Sequence, residues 1–366
     1  MKECDILIVG AGPAGSAAAI QIANLDPDLA RRTVVIEKAA FPRPKLCGGG
    51  ITPFADELLR RLHVAVDVPS LPIHKVTCIY KERTFTIRGK NLFRVVRREE
   101  FDAALARSAR ERGVELCEGE PLLDFQPDGD GVTVQTRQGT YRAKVMIGAD
   151  GANSIVRQKL GLVRWDRISR LMEILTPVDA TQAPEFTGNM AVFDFTLLSK
   201  KVQGYYWDFP SFKKGMALMN RGVFDSRVHS DKPRADLKLA FAESLSQRGI
   251  ELDQVLLQGH PERWYDPAAR HSAPRILLAG DAAGTEPLLG EGISYAFYFG
   301  TMAGDSAVNA LSRGDFAFSD YDRRVAWSAL GIRLRLKRAV ARFVYGDRGD
   351  WFYRAGWTIG RTVFGK

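Results

Sequence analysis

The stretch Asp5-Ile6-Leu7-Ile8-Val9-Gly10-Ala11-Gly12-Pro13-Ala14-Gly15 decides the fold. Its first five residues, mainly apolar, have the length of a buried parallel strand. The glycine-rich turn leads into Ser16-Ala17-Ala18-Ala19-Ile20-Gln21-Ile22-Ala23, a helix of small residues, and then into a second strand, Thr33-Val34-Val35-Ile36, ending on Glu37. Each glycine has a task in such a unit. Gly10 makes the tight turn, Gly12 lets the backbone approach a pyrophosphate, and Gly15 lets the helix pack close on the strand. The phosphates belong at the helix start, near Ala14, where free N–H groups and the helix dipole favour anions. Glu37, with Lys38 beside it, closes the site by accepting the ribose hydroxyls, and its charge disfavours an extra phosphate on that ribose. This first site therefore reads as one for FAD or NAD rather than NADP.

The rest of the chain has room for more than this unit. Its 366 residues predict two or three domains, and 45% hydrophobic with 26% charged residues is an ordinary globular composition. No apolar run is long enough to cross a membrane. The start, Met1-Lys2-Glu3-Cys4-Asp5, leads directly into the first strand and leaves no room for a signal peptide. The cysteines Cys4, Cys47, Cys78 and Cys117 show neither metal nor disulfide spacing, so a reducing cytoplasm is expected and no metal site. The net charge of +9 is concentrated in Arg333-Leu334-Arg335-Leu336-Lys337-Arg338-Ala339-Val340-Ala341-Arg342-Phe343. Trp351, Phe352, Tyr353, Trp357 and Phe364 follow. That pattern suits a C-terminal helix packed on the core with a solvated basic face, and equally the anionic inner face of a membrane; no nucleic acid is expected.

Taken in order, Phe41-Pro42-Arg43-Pro44-Lys45-Leu46-Cys47-Gly48-Gly49-Gly50 is an irregular loop whose backbone approaches something closely. A helix over 54–62 follows, with Thr52 as cap and Pro53 at its first position. Alternation predicts strands from Val76 to Val96, an amphipathic helix covers 98–112, and further strands are expected over 114–117, 131–137 and 140–147. Over 165–265 alternation returns, in Met190-Ala191-Val192-Phe193-Asp194-Phe195 and Gly204-Tyr205-Tyr206-Trp207-Asp208-Phe209, with a helix near 233–248. A last buried strand, Arg275-Ile276-Leu277-Leu278-Ala279, precedes a helical C-terminal region. The expected architecture is α/β (α+β): a discontinuous Rossmann-type domain over 1–75, 98–160 and 270–315, an inserted antiparallel-sheet domain over 76–97 and 161–269, and a helical region over 316–366.

Three separated segments point at one ligand: the first glycine loop, Gly148-Ala149-Asp150-Gly151 with Arg157 after it, and Ala279-Gly280-Asp281-Ala282 with Gly290-Glu291-Gly292-Ile293 after it. Together they resemble the FAD-dependent group related to p-hydroxybenzoate hydroxylase, over most of the chain. The resemblance implies FAD, with Asp281 and Asp150 at the cofactor. The helix start at Gly290, Gly292 and Ile293 would aim at the flavin, and Arg98, in Arg98-Glu99-Glu100-Phe101-Asp102, would meet the pyrophosphate. Within that group, Lys45-Leu46-Cys47-Gly48-Gly49 and Tyr205-Tyr206-Trp207-Asp208-Phe209-Pro210 are similar to segments of the geranylgeranyl reductases. Leu46 stands where that family has proline, and Ser211 where it has lysine.

The resemblance implies a reductase that saturates C=C bonds of a prenyl chain by hydride from reduced flavin N5. Cys47, Tyr206 and Trp207 become catalytic candidates, Cys47, Gly48 and Gly49 a loop at the cofactor, and Tyr206, Trp207, Phe209 and Pro210 substrate contacts. Phe193 and Phe195 join them as candidate walls of an apolar tunnel, although core packing explains any single aromatic as well. Cys4, Cys78 and Cys117 read as structural. The alternatives are a flavin-dependent monooxygenase or halogenase on the same scaffold, and a non-catalytic flavin protein on membranes. No second phosphate loop is visible, so the electron donor is open between NAD(P)H, reduced ferredoxin and a flavin reductase. The expected partners are an isoprenoid or other apolar small molecule and a membrane surface, with the oligomeric state open.

Overall fold

The computed structural model describes residues 1–162 and 167–346. In chain order its main elements are β1 (Lys2–Val9), α1 (Pro13–Leu25), β2 (Thr33–Glu37), α2 (Pro53–Arg61), β3 (Ser70–Tyr80), β4 (Arg83–Val96), α3 (Arg98–Glu111), β5 (Glu115–Glu118), β6 (Thr140–Gly148), β7 (Ile168–Pro177), β8 (Met190–Asp194), β9 (Gly204–Lys213), β10 (Met216–Asp225), β11 (Gln258–Arg263), β12 (Ile276–Leu278), α4 (Ile293–Arg313) and α5 (Ala329–Val344).

The first sheet is parallel at its centre, in the order β12-β6-β1-β2-β5. Such strands are covered on both faces and read as continuous apolar runs. Ile6, Leu7, Ile8, Val145, Met146 and Ile147 accordingly have no exposed surface. Helix α4 lies along α1, and small residues set their separation: a Cβ on Gly300 would stand 2.2 Å from the Ala14 carbonyl oxygen. A strand that the sequence reading lacked, Leu122–Pro127, pairs antiparallel with Val132–Thr136 beside β6.

The second sheet runs β11-β7-β10-β9-β8-β3-β4, with the pair Gly50–Ile51 at its far edge. It is antiparallel apart from one neighbouring pair, β8 with β3, which is parallel with Phe193 opposite Cys78. Strand β3 begins at Ser70, ahead of the start at Val76 predicted by alternation, because Leu71 and Pro72 continue the pairing with β4. Strand β8 ends at Asp194, whose side chain caps a short turn of helix over Phe195–Lys200, so Phe195 leaves the sheet. The predicted cap at Thr52 is present, its hydroxyl accepting from the Ala55 N–H at 3.3 Å. No helix among the described residues is long and apolar enough to cross a membrane. The C-terminal aromatics Trp351, Phe352, Tyr353, Trp357 and Phe364 lie outside the described residues.

Candidate active site

Both long loop-to-helix junctions of the first sheet open onto one cavity of about 700 Å³ between the two sheets. At the first junction, the turn after β1 is held by Gly10, with φ +98°, where a Cβ would press on the Ala149 carbonyl. Gly15 does not line the cavity. It sits under the turn, where a Cβ would come within 1.8 Å of the Gly10 carbonyl oxygen. Gly12, Ala14, Glu37 and Lys38 do line it. The start of α1 has no side-chain cap, so its first N–H groups face the cavity. Glu37 holds the turn from the other side, Oε2 accepting from the Ala11 N–H at 2.9 Å.

At the second junction, α4 starts at Ile293 with Gly292 as an uncapped first residue, and Gly290, Gly292 and Ile293 line the same cavity. Glu286 secures the turn before it, accepting from the backbone of Leu289 and Glu291. Lys337 on α5 reaches Glu291 at 2.7 Å and thereby ties the C-terminal helix to the cavity rim. Asp281 and Asp150 face the cavity from the ends of β12 and β6. Burial pushes both carboxyls above the usual range, Lys45 and Arg98 opposing this at Asp281.

The two uncapped helix starts and the orphaned Asp150 Oδ1, buried without a hydrogen-bond partner, form a set of donors and acceptors that an elongated anionic ligand with hydroxyls would satisfy. These residues fit FAD. Arg98 is buried in the same wall and forked onto Asp102, at 2.7 and 2.9 Å. Burial works against its charge, but Asp102 and Cys47 more than offset that and hold the guanidinium charged.

The cysteine loop reaches the same cavity. Cys47, Gly48 and Gly49 all line it. Gly49 has φ +79°, and a Cβ on Gly48 would meet the Phe209 ring at 3.0 Å, so the loop lies flat against the aromatic wall. That wall is the cavity-facing side of β9: Tyr205, Trp207 and Phe209, with Phe193 from β8 and Phe93 from β4. The pleat turns the intervening residues away. Tyr206 and Pro210 therefore do not line the cavity. Tyr206 has no exposed surface; its hydroxyl donates to Asp208 at 2.6 Å and its ring lies under the Arg248 guanidinium at 4.0 Å. Phe195 also misses the cavity, having left the strand, and packs on Tyr205 from behind.

The sequence reading missed four polar residues here. Lys45 and His260 line the cavity and touch at 2.5 Å. Glu262 lies two residues beyond His260 on β11, with Oε2 buried and unpartnered. Burial and the neighbouring Asp281 push its carboxyl well above the usual range. Asn220 bridges the aromatic wall to the cysteine loop, as the Trp207 Nε1 donates to it at 2.7 Å and its own amide donates to the Cys47 carbonyl at 3.1 Å. Lys45 stood in the quoted loop, but nothing local marked His260 or Asn220. No group of residues able to hold a metal ion occurs among the described residues.

Comparison with known proteins agrees with this geometry. The FAD-binding domain family matches residues 3–296. The chain belongs to that family. It is similar to digeranylgeranylglycerophospholipid reductase of Methanosarcina mazei, 29% identical over 331 residues, covering 85% of this chain and 76% of that protein. It is also similar to menaquinone reductase of Mycolicibacterium smegmatis, 28% identical over 329 residues, covering 83% and 76%. Among solved structures, a geranylgeranyl bacteriochlorophyll reductase-like protein of Thermoplasma acidophilum shares the fold at a TM-score of 0.76 and 22% identity, over 94% of this chain and 87% of that one. The flavin-dependent halogenase CmlS shares it at 0.67 and 22% identity, over 92% and 62%. The chain is thus an FAD-dependent oxidoreductase whose named relatives are reductases.

Proposed function

We propose that this enzyme saturates C=C bonds in the prenyl chain of a lipid or quinone. The observation that carries the reading is one cavity lined by both polar and aromatic residues. Gly12, Asp281 and the α4 start supply its polar lining, and Phe93, Phe193, Tyr205, Trp207 and Phe209 its aromatic lining. Cys47 interacts with Arg98 and is tied to Trp207 through Asn220. When bound, FAD supplies a hydride to the substrate. Among the chain's own residues, the aromatic wall excludes water and holds an apolar chain in place. An isolated alkene is a poor hydride acceptor, so most of the barrier must be met by positioning and by a proton donor aligned with the neighbouring carbon. Trp207 and Cys47 are the proposed substrate contacts, Trp207 fixed by Asn220 and Cys47 by its backbone. The relatives named for digeranylgeranylglycerophospholipid support a geranylgeranyl-type chain. The donor that recharges the flavin, NAD(P)H or reduced ferredoxin or flavin, is external.

Peripheral membrane contact belongs to the same proposal, and α5 supports it differently from the charge pattern. Its cations mostly turn inward: Arg335 donates to the Ala326 carbonyl at 2.8 Å, Lys337 binds Glu291, and Arg338 lies over the Trp264 ring at 5.2 Å. The exposed side carries Ile332, Leu336, Val340 and Phe343.

The test is anaerobic mixing of dithionite-reduced enzyme with a digeranylgeranylglycerol phospholipid, following flavin reoxidation and product mass. Reoxidation with two hydrogen atoms gained per bond is the expected result. A reduced flavin inert to the lipid, but giving a flavin hydroperoxide spectrum on admission of air, would overturn it in favour of an oxygenase or halogenase.

A further inference from the structure

The proposed reduction needs a proton as well as a hydride, and the cavity holds a candidate source outside the cysteine position. Lys45 Nζ and His260 Nε2 stand 2.5 Å apart on the cavity wall, one on the cysteine loop and the other on β11. β11 is the outer strand of the second sheet. His260 is half-buried there, and the Lys45 ammonium that it touches lines the same cavity. Strand alternation puts His260 and Glu262 on the same cavity-facing side.

We infer that Lys45 is the proton donor of the reduction and that neutral His260 positions its ammonium by accepting from it. This rests on the reductase reading above. The hydride and one alkene carbon form the first new C–H bond, while the π electrons form the second bond at the neighbouring carbon with a proton from Lys45. The Nζ–H bond breaks, its electron pair stays on the amine, and the amine regains a proton from solvent. Charge and atoms then balance with the hydride of the reduced cofactor and one solvent proton per bond.

The surroundings suit an ammonium that can let a proton go. Burial lowers the Lys45 pKa, with the Arg98 charge adding to this and Asp281, Cys47 and Asp102 opposing it. Burial, then the charges of Lys45, Arg98 and Lys38, push His260 down to about 3, so the ring is neutral and accepts from Lys45. Three carboxyls also face the pair, Glu262 from β11, Asp281 from the turn after β12 and Glu173 from β7; burial pushes each of them up and the Lys45 charge opposes it.

The experiment uses reduced holoenzyme and the digeranylgeranylglycerol phospholipid in single-turnover mixing across pH. Wild-type reoxidation is expected to be fast at low pH and to fall as pH rises through the Lys45 pKa. K45M slows it by about 100-fold, and so does K45R, which keeps the charge but holds its proton. H260Q slows steady-state turnover about tenfold and keeps the idea testable should K45M lose its flavin. A readout independent of turnover is the carbon-13 lysine signal absent from K45M, which should titrate below the ordinary lysine value in the holoenzyme. K45R reoxidising at the wild-type rate, or a Lys45 signal titrating at the ordinary value, would overturn the donor role while the reductase reading stands. Wild type that never reoxidises with the lipid would remove that reading, and this inference with it.

Discussion

Trp207 and Asn220 are joined by a buried hydrogen bond, indole Nε1 to Oδ1 at 2.7 Å, and Asn220 passes the connection on to the Cys47 carbonyl at 3.1 Å. Asn220 lies on β10 opposite Phe209 and has no exposed surface. One amide thus sets the distance between the aromatic wall and the cysteine loop. Asn220→Ala leaves a buried indole N–H and a carbonyl without their partner, which costs about 1–3 kcal/mol. Urea unfolding should show that loss, and Cys47 should react faster with a thiol reagent as its loop loosens. An unchanged thiol rate would mean that the loop is held elsewhere.

Gly15 predicts a sharper result. A Cβ there would lie 1.8 Å from the Gly10 carbonyl oxygen and 3.3 Å from Ile8, both in the rigid first junction. Gly15→Ala must therefore push α1 off β1, and the phosphate-facing turn moves with it. Purified protein should contain little FAD, read from flavin absorbance per protein. Gly139→Ala is the control: a Cβ there meets nothing within 4 Å, so flavin content should stay at the wild-type level.

These two sites also show what the sequence made legible. The first junction is local: strand, glycines, helix and Glu37 fall within one short stretch, and each leaves its mark in residue type. The aromatic wall was half legible. Alternation in Tyr205-Tyr206-Trp207-Asp208-Phe209 announces a strand, but not which parity faces the cavity when both contain aromatics. The parity that turns Tyr205 toward the cavity turns Tyr206 away from it, and its neighbours there, Asp208 and Arg248, show why a tyrosine is stable in that position. Asn220 and His260 left no signal, because ordinary polar residues on strands gain their roles only when sheet pairing brings them to Lys45 and Cys47, far away in the chain.

A pH prediction comes from His271. Its ring is 1% exposed, stacks on Tyr265 with centroids 5.1 Å apart, and has Nδ1 buried without a partner. Burial, aided by the charge of Arg157, pushes it down to about 3. The unfolded chain binds that proton near the ordinary histidine value of about 6.5. Between those values the unfolded state holds more protons, so stability is fully present above pH about 6.5 and is lost as pH falls toward 3. The loss approaches about 1.4 kcal/mol per pH unit well inside that window. Urea unfolding at mildly acid and neutral pH should show it, and His271→Phe should flatten the dependence. Equal slopes in the two proteins would assign the effect to other groups.

Lys337 offers a test of the link between α5 and the cavity. It binds Glu291 at 2.7 Å, and Glu291 also accepts from the Thr52 hydroxyl at 2.8 Å, so α5, α2 and the turn before α4 share one carboxylate. Burial opposes the Lys337 charge, but Glu286 and Glu291 outweigh it. Lys337→Met leaves these carboxylates without their cation and should cost about 3 kcal/mol or more. The turn that presents Gly290 and Gly292 then loosens, and FAD should dissociate faster on dilution. Wild-type retention of FAD would confine the role of Lys337 to α5 itself.

The exposed side of α5 carries the last prediction. Leu336 is 62% and Ile332 51% exposed, with Val340 and Phe343 continuing the stripe at helical spacing. Of the five cations on α5, Lys337 is paired with Glu291 and Arg338 with Asp266, which reduces the charge the helix offers a surface. If this side meets the membrane that holds a prenyl substrate, binding must be driven mainly by apolar burial. Fully burying one such side chain contributes about 1.5–3 kcal/mol. The double substitution Ile332→Glu with Leu336→Glu should then lower co-sedimentation with phosphatidylglycerol vesicles by tenfold or more, since each tenfold needs about 1.4 kcal/mol. Raised salt should weaken wild-type binding only modestly. Turnover on a short, detergent-dispersed substrate should stay near wild type, because the stripe lies outside the cavity lining. Vesicle binding that collapses in salt but survives both glutamates would move the membrane contact from this stripe to a basic surface elsewhere.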